Sequence, residues 1–186
     1  MWKLKLDKLT PLAPMSCVVS AGPPTVYDIL TDYDSYLDWF PLATHSKLLV
    51  KEGDGLAIAE FGFERPKDAK LTMECIHTRN EMVLLRRISG NVPLLRSQWN
   101  LAPEGSGTRV TLKNVMDFSN WRMFVPGGAH RFVMSHLLNA LSERVNAFSS
   151  EFGAGEGRKF LEIVQTNDYL EVWFLGRKYK LTPVDE

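Results

Sequence analysis

Cys75-x-His77 sets a thiol and an imidazole two residues apart, a spacing that puts both on one face of a strand. A neutral imidazole there can hydrogen-bond a ligand carbonyl or act as acid or base. A histidine at a strand end can equally reach solvent or a backbone carbonyl. The pair could also supply two metal ligands, but a zinc site needs three or four. His130 and His136 are six apart and cannot share a helical face, so no metal site is expected. Arg86-Arg87 lies in an apolar run, so one of the two points inward or sits at an edge. An inward arginine needs an anion, because unpaired burial of its charge is prohibitive. A ligand carboxylate or quinone oxygen would serve, and so would Glu60, Glu74 or Asp117. Tyr33, Trp39 and Phe40 offer aromatic walls with polar tips, suited to planar rings or isoprenoid chains, or to plain core packing. There is no nucleophile elbow, phosphate loop or dinucleotide fingerprint; the glycine-rich run from Gly153 to Arg158 lacks the required endings. No catalytic residue and no cofactor are therefore assigned.

These groups need elements to hold them. Met1–Leu9 alternates Trp2, Leu4 and Leu6 with charged residues, which is strand periodicity. Met15–Ala21 reads as a buried strand, stopped by Gly22-Pro23-Pro24. Val26, Ile29 and Leu30 mark a short amphipathic helix that runs into Asp32-Tyr33, and a second short turn closes on Trp39-Phe40-Pro41. Six apolar runs follow: Ser46–Lys51, Leu56–Glu64, Lys70–Thr78, Glu81–Ser89, Leu94–Leu101 and Thr108–Phe118. Gly, Asn, Asp and Pro turns separate them, which describes a meander. Parity assigns Ala57, Ala59, Phe61 and Phe63 to one face, as it does Leu71, Met73, Cys75 and His77. Ser97, Trp99 and Leu101, and Val110, Leu112 and Asn114, group in the same way.

A sheet with one dry face needs a cover. Gly127–Phe152 supplies it: Met134, Leu137, Leu138, Leu141, Val145, Phe148 and Phe152 form an apolar stripe at helical period. A cavity between sheet and helix is expected. Gly153–Gly157 ends the helix, and Lys159–Gln165, Asp168–Leu175 and Arg177–Leu181 read as three further strands. A lone small sheet is marginal in water, so this extension is expected to dock on the main domain. Lys8-Leu9-Thr10-Pro11 recurs as Lys180-Leu181-Thr182-Pro183, which suggests that the N-terminal strand pairs with it. The division is then 1–152 for the main domain, with 1–11 its N-terminal strand, 153–157 for a linker and 158–186 for the β extension.

Formal net charge is zero, with 22 basic and 22 acidic residues, and neither half is strongly charged. Nucleic-acid affinity rests on clustered positive charge, so no nucleic acid partner is expected. Cys17 and Cys75 lack CxxC spacing and read as buried free thiols in a reducing compartment. Neither a signal peptide nor an apolar run long enough to span a membrane is read, and the expected location is cytoplasmic. Trp121, Met123, Phe124, Val125 and Phe132 surround the loop before the long helix. They suit a greasy lip for ligand entry, transient membrane contact or subunit contact, or packing under the extension.

With this order of elements the chain resembles the START / polyketide cyclase / coenzyme Q-binding superfamily, the helix-grip or SRPBCC domains. The carrying residues are Val26-Tyr27-Asp28-Ile29-Leu30, Asp32-Tyr33, Tyr36 and Trp39-Phe40-Pro41, then Trp99, Leu101 and Pro103 before a Gly-rich turn, and Thr108-Arg109-Val110-Thr111. The resemblance covers roughly residues 13–152. It implies an α+β helix-grip fold, a curved antiparallel sheet wrapped around a long C-terminal helix, here with an extra β extension after it. It also implies a hydrophobic small-molecule ligand (a lipid, a quinone or a polyketide-like ring) held by a carrier or chaperone. A cyclase or aromatase acting in the same cavity is the alternative, as is a protein-interaction module such as a ribosome-associated factor. The expected ligand-binding residues are Tyr33, Trp39, Phe61, Phe63, Met73, His77, Arg87, Trp99, Asn114, Met134 and Leu138.

Overall fold

The structure, a computed structural model, describes residues 9–40, 42–64, 68–117, 129–151, 161–165, 170–174 and 177–181. The chain divides into two compact units, Met1–Ser149 and Ser150–Glu186.

The first unit opens with β1 (Leu9–Pro11) and β2 (Met15–Val19), then α1 (Pro23–Thr31), a 3-10 turn (Tyr33–Ser35) and α2 (Tyr36–Trp39). Six strands follow: β3 (Ala43–Glu52), β4 (Leu56–Phe63), β5 (Ala69–Thr78), β6 (Met82–Gly90), β7 (Leu94–Glu104) and β8 (Gly107–Asp117). The last element is α3 (Ala129–Glu151). Among the described residues, eight antiparallel strands form one sheet, with β8 to β3 in succession. β1 and β2 share the outer margin of β8: Leu9–Pro11 lies against Val115–Asp117, and Met15–Val19 against Thr108–Leu112. Between them the Leu12 N–H donates to the Asn114 carbonyl at 2.9 Å.

Four register shifts bend this sheet. They leave Thr44 and Leu49 extra on β3, Ile88 extra on β6 and Leu95 extra on β7. A bulge inserts one unpaired residue, kinks its strand and increases the local twist, so the sheet curves toward the face that parity assigned to the interior. Gly107 lets β8 begin against β2, because a Cβ there would collide with the Val19 carbonyl.

α1 starts as its sequence requires: Pro23 and Pro24 occupy the first turn, where no N–H is needed, and Gly22 accepts from the Thr25 and Val26 amides at 3.1 and 3.3 Å. Val26, Tyr27, Ile29 and Leu30 are buried. α3 lays Met134, Leu138, Leu141 and Val145 into the same core as the sheet's concave face, with Leu137 and Phe148 packed against it. The curved antiparallel sheet, the long closing helix and the two short helices after the first strands make this an α+β helix-grip fold.

Three expectations need adjustment. Met15–Val19 is half-buried, with Val18 exposed, because it lines a sheet margin. Pairing between β7 and β8 runs on to Glu104 and Gly107, since Gly105 adopts a left-handed φ of 58° and permits a tight turn where a longer loop was expected. Leu9–Pro11 pairs with β8, while Met1–Lys8 lies outside the described residues, as does Phe152.

The second unit contains an antiparallel meander of β9 (Leu161–Gln165), β10 (Leu170–Phe174) and β11 (Arg177–Leu181). Val172 lies opposite Ile163 on one side and Tyr179 on the other.

Candidate functional site

The ladders arrange the concave face in rows. One row runs Ala57, Cys75, Leu85, Ser97, Asn114 from β4 to β8. The next runs His77, Val83, Trp99, Leu112, Met15 from β5 to β2. Ala59, Met73 and Arg87 form a third, and Phe61 sits opposite Leu71 in a fourth. The expected residues thus share one side of the sheet. Tyr33, Trp39, Phe61, Met73, Trp99, Met134 and Leu138 belong to a single buried core, with Phe63 packed against it, and His77, Arg87 and Asn114 are half-buried.

Tyr33 is the hub at one end. It is 2 % exposed. Its ring stacks on Tyr36 and His77, both with centroids 5.8 Å away, and meets Phe61 edge-on at 6.2 Å. Its hydroxyl lies 2.6 Å from His77 Nε2, and its carbonyl accepts from the Ser46 hydroxyl. Tyr36 and Trp39 continue the aromatic wall with centroids 4.8 Å apart, and the Tyr36 hydroxyl donates to the Leu30 carbonyl at 2.7 Å. Burial raises the pKa of both tyrosines, with the neighbouring Cys75 adding to the shift. Burial also pushes the Cys75 thiol up to about 12, against the opposing effect of its hydrogen bond with Tyr33. This end of the face therefore stays neutral.

Burial lowers the His77 pKa below the ordinary value, against a backbone hydrogen bond at Asp54 that raises it, and Lys51 adds a smaller lowering. A Tyr33 hydroxyl donating to an unprotonated Nε2 keeps both groups neutral. The linkage sign follows. Between the folded pKa and about 6.5 the unfolded chain binds more protons at this site. Stability contributed here is complete above about pH 6.5 and is lost as pH falls toward the folded pKa. The urea midpoint should be lower at pH 5.5 than at pH 7.5, and His77→Gln should narrow that difference. An unchanged difference in the variant would locate the titration elsewhere.

The two arginines separate cleanly. Arg86 points outward to Glu74, its cross-strand neighbour, with Nε 2.8 Å from Oε2. Arg87 points inward and is held by the protein: its guanidinium donates to the Val92 carbonyl at 2.8 Å and to Asp117 Oδ2 at 3.1 Å. Both members of that pair are about one-fifth exposed, at 20 % and 21 %. They line a depression of about 460 Å³ together with Ser89, Gly90 and Asn91. Asp117 is thus the partner that sequence left open among three carboxylates.

Other polar atoms of the core have no partner among the described residues. The indole N–H groups of Trp39 and Trp99 and the Asn114 side-chain oxygen are buried and unpaired. Sequence reasoning placed Ser97 on the inner face without assigning it to the site, and it is buried opposite Asn114. It also passed over Tyr36 as a site residue; the signal available was its position one helical turn before Trp39-Phe40. The buried polar and charged residues among those described are Thr25, Ser35, Ser46, Ser97 and Thr108, with no carboxylate. Among the described residues no three His, Cys, Asp or Glu side chains cluster as metal ligands, and no helix is long and apolar enough to cross a membrane. Trp121, Met123, Phe124, Val125 and the Phe132 side chain lie outside the described residues.

Comparison with solved structures gives the same architecture. The Zhui aromatase/cyclase from Streptomyces sp. R1128 matches at a TM-score of 0.62 and 14 % identity, over 74 % of this chain and 94 % of that one. A START superfamily protein from Mycobacterium smegmatis matches at 0.60 and 17 %, over 74 % and 99 %. A protein from Thermus thermophilus matches at 0.60 and 20 %, over 75 % and 99 %. At these identities the likeness is one of fold. None of the curated proteins matches. The family model described as polyketide cyclase / dehydrase and lipid transport matches residues 19–146, from the end of β2 through β3 to β8 and most of α3. With that match over more than half its length, the chain belongs to the polyketide cyclase / dehydrase and lipid transport family.

Proposed function

We propose that this protein binds a hydrophobic small molecule, such as a lipid, a quinone or a polyketide-like ring, between the concave sheet face and α3, and acts as its carrier or chaperone. The observation that carries this reading is the make-up of that face. Its rows are apolar and aromatic, broken by a few uncharged polar groups and by Arg87, which Asp117 pairs, with no carboxylate among the described buried polar residues. Such a surface binds by apolar burial, at about 25 cal/mol per Å² removed from water, and uses its polar atoms for orientation. The balanced charge fits a ligand held in this way better than one held by phosphate contacts. The ligand-facing set is Tyr33, Trp39, Phe61, Met73 and Trp99, with Met134 and Leu138 from the helix and Phe63, His77, Arg87 and Asn114 at its margins.

One observation favours a cyclase or aromatase in the same interior: the 2.6 Å contact between Tyr33 and His77, an arrangement able to relay a proton. Acid–base chemistry on a bound ring needs a second titratable group aimed at the substrate. Here the tyrosine and the imidazole are turned to each other, so the carrier reading is preferred. Native mass spectrometry of the protein purified from its own cells tests it. A co-purifying lipid, quinone or aromatic polyketide is the expected result. Turnover of a bound polyketide that is abolished by His77→Gln would replace it with the enzyme reading.

A further inference from the structure

The polar groups on the concave face fall into two classes. His77 and Arg87 look suited to orient a ligand, yet each is bonded to the protein, His77 to Tyr33 and Arg87 to Val92 and Asp117. Trp99 and Asn114 are the reverse. Trp99 is 2 % exposed and, among the described residues, its Nε1–H has no acceptor and the buried Asn114 Oδ1 has no donor. A buried polar atom without a partner keeps its full desolvation penalty, so a fold that holds two side by side needs a reason.

They are side by side. Asn114 faces Ser97, and Trp99 faces Leu112, on adjacent ladder positions of β7 and β8. Diagonal neighbours on one face of an antiparallel pair lie roughly 7–8 Å apart, within reach of a large aromatic side chain. The remaining unpaired buried atoms do not form such a pair on the face: Asn100 sits at the opposite parity, Thr25 in the first turn of α1 and Trp39 on α2.

We propose that Trp99 and Asn114 together recognise an uncharged hydroxyl, phenolic or alcoholic, on the bound molecule. The chemistry is selective. The indole N–H only donates, and the amide oxygen only accepts. The group between them must accept one hydrogen bond and donate another. A hydroxyl does both. A ketone or ether oxygen satisfies Trp99 and leaves Asn114 unpaired. A carboxylate sets negative charge against the Asn114 oxygen, and the cation on this face, Arg87, is already neutralised by Asp117. The inference rests on the ligand-binding reading above and adds to it the class of polar group that the site selects.

The test uses the full chain and three matched probes, 2-naphthol, 2-methoxynaphthalene and 2-naphthoate, titrated by calorimetry, with naphthalene as the control that lacks oxygen. The naphthol is expected to bind about tenfold more tightly than the ether, with the carboxylate weakest of the three. Asn114→Leu should bring the naphthol to the level of the ether and leave the ether within about twofold, since the ether never used the amide. Trp99→Phe should weaken the naphthol and the ether alike. Because Trp99 is also a core side chain, its indole proton provides a second readout in the unmutated protein. That resonance should move downfield with naphthol and stay in place with naphthalene. A water molecule bridging Trp99 and Asn114 would fill both roles without the ligand; equal affinities for naphthol and ether, unaffected by Asn114→Leu, would show this and overturn the inference while leaving the carrier reading intact. Tighter binding of the naphthoate would overturn it too. Failure of all the probes to bind would remove this inference and the ligand-binding reading together.

Discussion

Tyr33→Ala is expected to destabilise the protein by about 3–5 kcal/mol, the range for deleting a large buried aromatic side chain. The reason is its position at the junction of the short helices with β3, β4 and β5. Its ring joins Tyr36 on α2, Phe61 on β4 and His77 on β5, and its carbonyl receives Ser46 from β3. Removing it leaves a void at that junction and strips the His77 Nε2 of its partner. Tyr33→Phe separates the two contributions. It keeps the packing and loses the hydroxyl, so its effect should be about 1–3 kcal/mol. Urea denaturation of both variants, with m-values compared, checks this. Equal losses for the two substitutions would mean that the hydroxyl, not the ring, supports the junction.

Leu141→Ala should cost about 2–5 kcal/mol, because this side chain is fully buried in the middle of the α3 stripe between Leu138 and Val145. Glu143→Ala, two residues on and exposed, should stay within about 0.5 kcal/mol. The contrast measures how firmly the helix is held to the sheet. Comparable losses at the two positions would contradict the packing of α3 described above.

The period of the side chains carried the architecture. Inner and outer faces of β4, β5, β7 and β8 follow from alternation alone, since a strand residue has only two directions to point, and the α3 stripe follows from 3.6 residues per turn. What alternation cannot say is which groups meet. Arg86 and Arg87 are adjacent and alike; only the register of β5 on β6 gives Glu74 to the first, and only the approach of the β8 end gives Asp117 to the second. Register depends on contacts distant in sequence, and here it also shifts at Ile88. The same holds for His77. Its inward direction could be read from the strand, but its bond to Tyr33 joins residues 44 apart across a helix–sheet junction. That Trp99 and Asn114 lack partners could not be read at all, because an unmet hydrogen bond is a property of every neighbouring group at once.

The kinks that bend the sheet have a second effect at its free margin. Among the described residues β3 pairs only with β4, so its other side has no strand partner, and only part of it is capped, the Leu48 N–H by Asp34 Oδ1 at 2.8 Å and the Ala43 N–H by the Phe40 carbonyl at 3.0 Å. Such a margin invites a strand from another molecule. Thr44 and Leu49 interrupt its regular spacing twice, and Lys47, Lys51 and Glu52 place charge along it. An incoming flat strand would lose its match within a few residues and meet ammonium groups as it tried to continue. The irregularity that shapes a hollow face thus also guards the chain against zippering into fibres.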